Sequence, residues 1–255
     1  MYRSLTIDTA ISTAILTLNT FDNGGGKHLR HFIKKSFKTM QKGHIKNLIL
    51  DLRSNGGGDI NLSALLTKYL RNSAFKVSDS AYAISTSVRP FTKYIRQGML
   101  NNIGLLFVTK KRTDGNYHFG YWERHLFHPK IKNHFNGKVY VLTNGLTFSA
   151  STIFCNAVKS EKNITLAGEE TGGGWYGNSG LLIPDITLPI TKLRVRLPFF
   201  KIVQFNHIAN KGSGVMPDIF IPPTVEGIRR SRDSKMEMVK GFIKSSNAGL
   251  QVDVK

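Results

Sequence analysis

The sequence predicts an α/β fold built on a parallel sheet, and three observations carry that prediction. Short apolar runs such as 46–53 (Lys-Asn-Leu-Ile-Leu-Asp-Leu-Arg) lack polar alternation, as strands buried on both faces do. Glycine-rich turns follow the runs, at Gly56-Gly57-Gly58 and Gly172-Gly173-Gly174. Segments of helical periodicity lie between them, so strands and helices alternate with the connections a parallel sheet requires.

Taken in order, 10–21 reads as a strand, with Ile11, Ile15, Leu16 and Leu18 in a β-favouring run that ends at Asn23-Gly24-Gly25-Gly26. Segment 27–42 places Leu29, Phe32, Ile33, Phe37 and Met40 on one helical stripe. Lys34, Lys35, Lys38 and Lys42 take the remaining face, expected to be solvated, and Gly43 is a helix stop. The strand at 46–53 runs through Ser54-Asn55-Gly56-Gly57-Gly58-Asp59 into a helix at about 60–70. That turn has neither the spacing of a dinucleotide loop nor the Gly-Lys-Ser/Thr ending of a phosphate loop.

Residues 72–136 are irregular, with Pro90 and the histidines His118, His125, His128 and His134, and read as an insertion or lid. No pair of these histidines has a carboxylate at metal-ligand spacing, so neither a metal nor another cofactor is expected. A second strand–helix–strand unit follows at 138–143, 150–158 and 164–168, closed by Glu169-Glu170-Thr171-Gly172-Gly173-Gly174. Segments 181–191 and 193–203 read as a β-hairpin of exposed or edge strands, marked by Pro184, Pro189 and Pro198. A turn at 211–218, a strand at 219–221, a terminal helix at about 234–243 and a fraying end at 245–255 complete the chain. No repeat or linker divides it, and it reads as one domain over residues 1–255 with a core at about 10–243.

Composition bounds the function. The 255 residues suffice for a full core, and no apolar run reaches the roughly 18 residues that span a bilayer. Residues 1–20 alternate polar and apolar types and are not a secretion signal. Cys155, the single cysteine, excludes an intrachain disulfide and falls on an apolar helix face, which marks it as core. Thirty-six Lys and Arg against 16 Asp and Glu give a net charge of +20, a field that favours anionic partners. The lysines are scattered, without the aromatic–basic alternation of RNA-binding sheets, so a solvated basic surface is preferred to specific nucleic-acid binding.

One stretch carries chemistry: Leu142-Thr143-Asn144-Gly145-Leu146-Thr147-Phe148-Ser149-Ala150-Ser151, a strand that breaks at Asn144-Gly145 and restarts as a helix. Ser149 at the helix mouth lies beside backbone N–H groups without intrahelical partners, which favour the negative charge formed when a serine attacks a carbonyl. By itself the stretch reads more readily as a serine N-cap.

Three stretches together resemble a known family. They are Leu50-Asp51-Leu52-Arg53-Ser54-Asn55-Gly56-Gly57-Gly58, Thr147-Phe148-Ser149-Ala150-Ser151 with Gly168-Glu169-Glu170-Thr171-Gly172-Gly173, and Gly214-Val215-Met216-Pro217-Asp218-Ile219. In this order they resemble the tail-specific, C-terminal-processing serine peptidases of the ClpP/crotonase-like core, in the Bacteroidetes-type branch. The resemblance implies Ser149 as nucleophile, the backbone N–H groups of Gly57 and Ala150 as oxyanion hole, a polypeptide substrate and a periplasmic, cell-envelope or secreted location. It also implies that a domain preceding the core is missing, since the chain begins about where the core sheet begins; no PDZ domain is recognised.

The departures concern the base. The family lysine, 25 residues after the nucleophile, falls on Gly174, and the family glutamate three residues after it is replaced by Thr152. A serine hydroxyl needs a neighbouring proton acceptor. Lys211 is the leading candidate, if burial lowers its affinity for the proton. His207, His125, His128 and a histidine from an earlier segment are alternatives, with Glu169 or Glu170 as orienting groups. Oligomeric state is not legible. The competing functions are a non-catalytic peptide-binding relative, a crotonase-type acyl-thioester enzyme, and nucleic-acid binding through the +20 charge.

Overall fold

The computed structural model describes residues 2–22, 24, 28–87, 92–95 and 104–249. The chain forms two compact units, the first from Met1–Phe75, Phe127–Trp175 and Gly212–Lys255, the second from Lys76–Leu126 and Tyr176–Lys211.

The first unit is a six-stranded sheet. Its strands are β1 (Arg3–Asp8), β2 (Thr13–Leu18), β3 (Asn47–Asp51), β4 (Lys138–Thr143), β5 (Ile164–Gly168) and β6 (Ile219–Phe220), lying side by side in chain order. β1 and β2 pair antiparallel, and every later pair is parallel. The parallel strands are covered on both faces, which explains their unbroken apolar runs. On one face Leu16, Leu48, Leu50, Val139 and Val141 pack with α1 (Leu29–Lys42), α2 (Ile60–Lys68) and α3 (Ala150–Val158). On the other, Ile49, Leu142 and Ala167 pack with Val239 and Ile243 of α5, which spans Ser234–Asn247 after the short α4 (Val225–Arg229).

The expected α/β order holds, with α3 and β5 at their expected bounds. Three differences have physical causes. The strand expected at 10–21 begins only at Thr13, because Thr9–Ile11 form a 3-10 turn and Ser12 takes φ 48°, reversing the chain into a hairpin with β1. β1 itself was not expected: its residues are mostly half-buried, and an edge strand of that kind carries no apolar run. The terminal helix continues to Asn247, whose Nδ2 donates to Ile11 O (3.2 Å) and ties the two ends of the unit together. The Asn23-Gly24-Gly25-Gly26 turn, Gly24 apart, Pro90 and residues 250–255 lie outside the described residues.

The second unit draws 76–126 from the stretch expected as an insertion. Its five-stranded sheet runs Lys110–Lys111, Tyr117–His118, Ser78–Ala83, Lys201–Gln204, Gly177–Asn178, all antiparallel. The expected hairpin is present as Asp185–Thr187 against Arg194–Arg196, while Lys201–Gln204 pairs with Ser78–Ala83 instead of continuing it. Glu123, 3 % exposed, is held here by the Ala81 amide (3.0 Å), His118 Nδ1 (2.6 Å) and Arg112. His118 Nε2 reaches Asp114 (2.9 Å), and that hydrogen bond holds the Asp114 carboxyl at about 2. Among the described residues no helix is long and apolar enough to cross a membrane.

Candidate active site

The chain leaves β4 at Thr143 into a turn organised by Asn144. Its Oδ1 accepts from Leu146 N (2.9 Å), its carbonyl accepts from Thr147 N (2.9 Å), and its own amide donates to Thr147 Oγ1 (3.1 Å). Thr147 Oγ1 donates in turn to Leu52 O (3.0 Å), fastening the turn to the end of β3. The chain then enters α3 through Ser149 at φ 54°, ψ −119°, a backbone position that costs a non-glycine residue about 1–3 kcal/mol. An N-cap needs an extended backbone and a side chain turned back to the helix amides. Ser149 has neither: it makes no capping hydrogen bond, and the capping reading is overturned. The residue is half-buried, and among the described residues its Oγ has no hydrogen-bond partner.

The turn after β3 arrives at the same place. Phe148 N donates to Asn55 O (3.0 Å), joining two loops that are distant in sequence. Gly57 has φ +102°, and a Cβ there would lie 2.6 Å from Ser149 Cβ and 3.0 Å from Ala150 N, so only glycine fits. The Ala150 amide opens α3 and has no backbone partner among the described residues. The Gly57 amide donates to Asn55 Oδ1 (3.0 Å), while Asn55 Nδ2, fully buried, donates to Leu18 O (3.0 Å). Of the two amides named for an oxyanion hole, one is therefore open and the other is held by a side chain that an incoming oxygen would have to displace or share.

A second glycine turn closes the opposite flank. Gly173 N donates to Thr147 O (3.2 Å), and a Cβ on Gly173 would lie 3.0 Å from Ser149 N. Thr171 Oγ1 donates to Gly173 O (2.9 Å) and accepts from Val215 N (2.8 Å). Gly174, at the position of the family lysine, pairs backbone to backbone with Gly214. The two glutamates are occupied: Glu169 pairs with Lys235 (2.6 Å), and Glu170 Oε1 accepts from Gly214 N (2.5 Å). Thr152 Oγ1 donates to Thr147 O (3.3 Å).

The base candidates stand as follows. Lys211 and His207 belong to the second unit and are exposed, Lys211 without the burial its role requires; the His207 ring lies edge-on to Phe205 (4.7 Å). His125 stacks on Tyr121 in that unit (4.7 Å), and His128 is exposed in the first. Within the first unit, no described Lys or His is hydrogen-bonded to Ser149. Cys155 is core, and burial pushes its thiol up to about 12.

Asn55, Thr147 and Thr171 position this site; all three stand in the stretches that carry the family resemblance, but none was given a positioning role from the sequence. Each acts through a hydrogen bond to backbone that is remote in sequence, for which no periodicity gives a signal.

Residues 12–221 match the model of peptidase family S41. The chain belongs to that family. The S41 chain also shares its fold with solved structures. A candidate peptidase from Parabacteroides merdae is 19% identical at TM-score 0.64, over 95% of this chain and 64% of that one. A candidate S41 protease from Bacteroides fragilis is 17% identical at TM-score 0.58, over 98% and 58%. Mature CPAF is 17% identical at TM-score 0.61, over 95% and 53%. The S41 chain thus spans roughly half to two thirds of the length of these structures, and at such identities the likeness speaks for the fold.

Proposed function

We propose that this S41 chain is a serine peptidase of the tail-specific, C-terminal-processing type, with Ser149 as nucleophile. The observation that carries the reading is the strained, uncapped Ser149 held against Gly57 and the open Ala150 amide. Helix capping gives no reason for that geometry, whereas nucleophilic attack does. Ser149 Oγ attacks the peptide carbonyl carbon and passes its proton to the base. The carbonyl oxygen, now anionic, is held by the Ala150 and Gly57 amides. The intermediate collapses with cleavage of the C–N bond, the amine leaves with the proton from the base, and water then hydrolyses the acyl ester. Lys211 is the base named from the sequence, and Lys211→Ala is expected to slow fluorophosphonate labelling of Ser149. An unchanged labelling rate in Lys211→Ala would remove it from the mechanism.

The test is covalent labelling with a fluorophosphonate, which reads nucleophile activation without knowledge of the substrate. Labelling is expected on the full chain and is expected to vanish in Ser149→Ala. Persistent labelling of that variant would sink the assignment.

A second reading, a peptide-binding relative without turnover, is favoured by Gly174 at the lysine position and by Glu169 and Glu170 both being engaged elsewhere. It expects no labelling and saturable peptide binding that survives Ser149→Ala.

A further inference from the structure

The solvated face of α1 is one wall of a cavity of about 670 Å³ in the first unit, within the range of small-ligand sites. Six lysines line it: Lys34, Lys35, Lys38 and Lys42 from the helix, and Lys130 and Lys132 from the segment opposite. No carboxylate does. The lysines were expected to be dispersed in solvent, but two stretches far apart in sequence bring them to one concavity.

The second wall is fastened. Lys130 N donates to Lys68 O (2.6 Å) and Phe135 N to Tyr69 O (2.9 Å), so the segment is pinned to the end of α2. Tyr69 also lines the cavity, stacked on Phe37 at 4.4 Å and almost fully buried. Elsewhere in this unit Arg53, Arg71, Lys159 and Lys235 each pair with a carboxylate. None of the six cavity lysines does so among the described residues. Partial burial, with the neighbouring Lys130, loosens the proton of Lys68 beside the cavity.

We infer that this lysine cavity binds a compact, multiply phosphorylated ligand. Three features favour phosphate over other anions. A phosphomonoester carries about twice the charge of a carboxylate, as a small volume lined by six ammonium groups demands. Lysine binds phosphate as a point charge and needs no planar fork, and no arginine lines the cavity. The wall is a helix face, so there is no sheet edge to align an extended acidic peptide.

The full chain is titrated with sodium tripolyphosphate by calorimetry at physiological salt. It is also spun down with phosphatidylcholine vesicles, with and without phosphatidylinositol bisphosphate. Saturable tripolyphosphate binding is expected, weakened more than about tenfold in Lys38→Gln/Lys130→Gln, as loss of charge-assisted contacts dictates. Lys240→Gln/Lys244→Gln, on α5 and outside the cavity lining, is expected to bind unchanged. Binding without vesicle retention identifies a soluble phosphate ligand; retention that depends on the bisphosphate lipid identifies a headgroup; either supports the inference. No saturable binding, equal binding in the cavity variant, or equal weakening in the α5 control overturns it. Tighter binding of polyglutamate or duplex DNA than of tripolyphosphate also overturns it, in favour of those partners. Circular dichroism melts check that the variants fold, and single Lys→Gln variants replace any double variant that does not.

Discussion

Two glycine turns meet at Ser149, and they do different work. The turn at Gly57 presses a bare backbone against Ser149 Cβ and the Ala150 amide, on the side where an amide donor would serve a developing charge. The turn at Gly173 packs behind Ser149 N and is knitted to Gly214 and Val215 by Glu170 and Thr171. Both exclude a side chain, but only the first lies against the Ala150 amide, which has no backbone partner among the described residues. Glycine at the candidate site is therefore not one signal: the same residue type brings backbone against the Ser149 side chain in one turn and against its amide in the other.

The largest effect is expected from Gly57→Ala. The positive φ and the contact with Ser149 Cβ together cost about 2–4 kcal/mol, and fluorophosphonate labelling per folded molecule falls by about a hundredfold as the hole is blocked. Labelling rates alongside denaturant melts separate the two effects; unchanged labelling would place both turns in the packing class. Thr171→Val keeps shape but strands the Val215 amide and the Gly173 carbonyl, at about 1–3 kcal/mol of stability. The comparison requires its labelling per folded molecule to stay unchanged, and a loss as large as that of Gly57→Ala would dissolve the distinction.

The smallest effect concerns the clamp behind β3. Arg53 bonds Asp51 (2.7 Å) and Asp233 (2.6 Å), and these bonds strengthen its hold on its proton although burial opposes them. The bond to Arg53 lowers the Asp233 carboxyl. A depressed carboxylate contributes its stability above its ordinary value and loses it as pH falls through the depressed one. Asp233→Asn, which retains an N-cap side chain, should cost about 1 kcal/mol or less at neutral pH because the carboxylate is half-exposed. The difference from the parent should close in acid, as urea melts across a pH series will show; a constant difference would remove the linkage.

Much of the first unit was legible because its strands are buried on both faces: β3, β4 and β5 announce themselves as apolar runs, and α3 by the polar break before it. The second unit was far less so. Its strands are as short as two residues, and Ser78–Ala83 pairs with Lys201–Gln204 across most of the intervening chain, so neither periodicity nor spacing marks them. At the site, Ser149 and Gly57 stood out by residue type in a turn. Asn55 and Thr171 did not, because a polar residue in a loop looks the same whether it faces water or a distant carbonyl. The lysine cavity was hidden by the reverse effect, since a charge count sees sequence neighbours and misses groups that only the fold assembles.

Cys155 lies on α3, the helix that Ser149 introduces, with its thiol sealed in the core and kept protonated. A maleimide can therefore reach it only when that helix lifts from the sheet, so the pace of alkylation is a clock for local opening beneath Ser149. The molecule carries its own single-site reporter of whether a ligand, at Ser149 or in the lysine cavity, tightens the ground on which Ser149 stands.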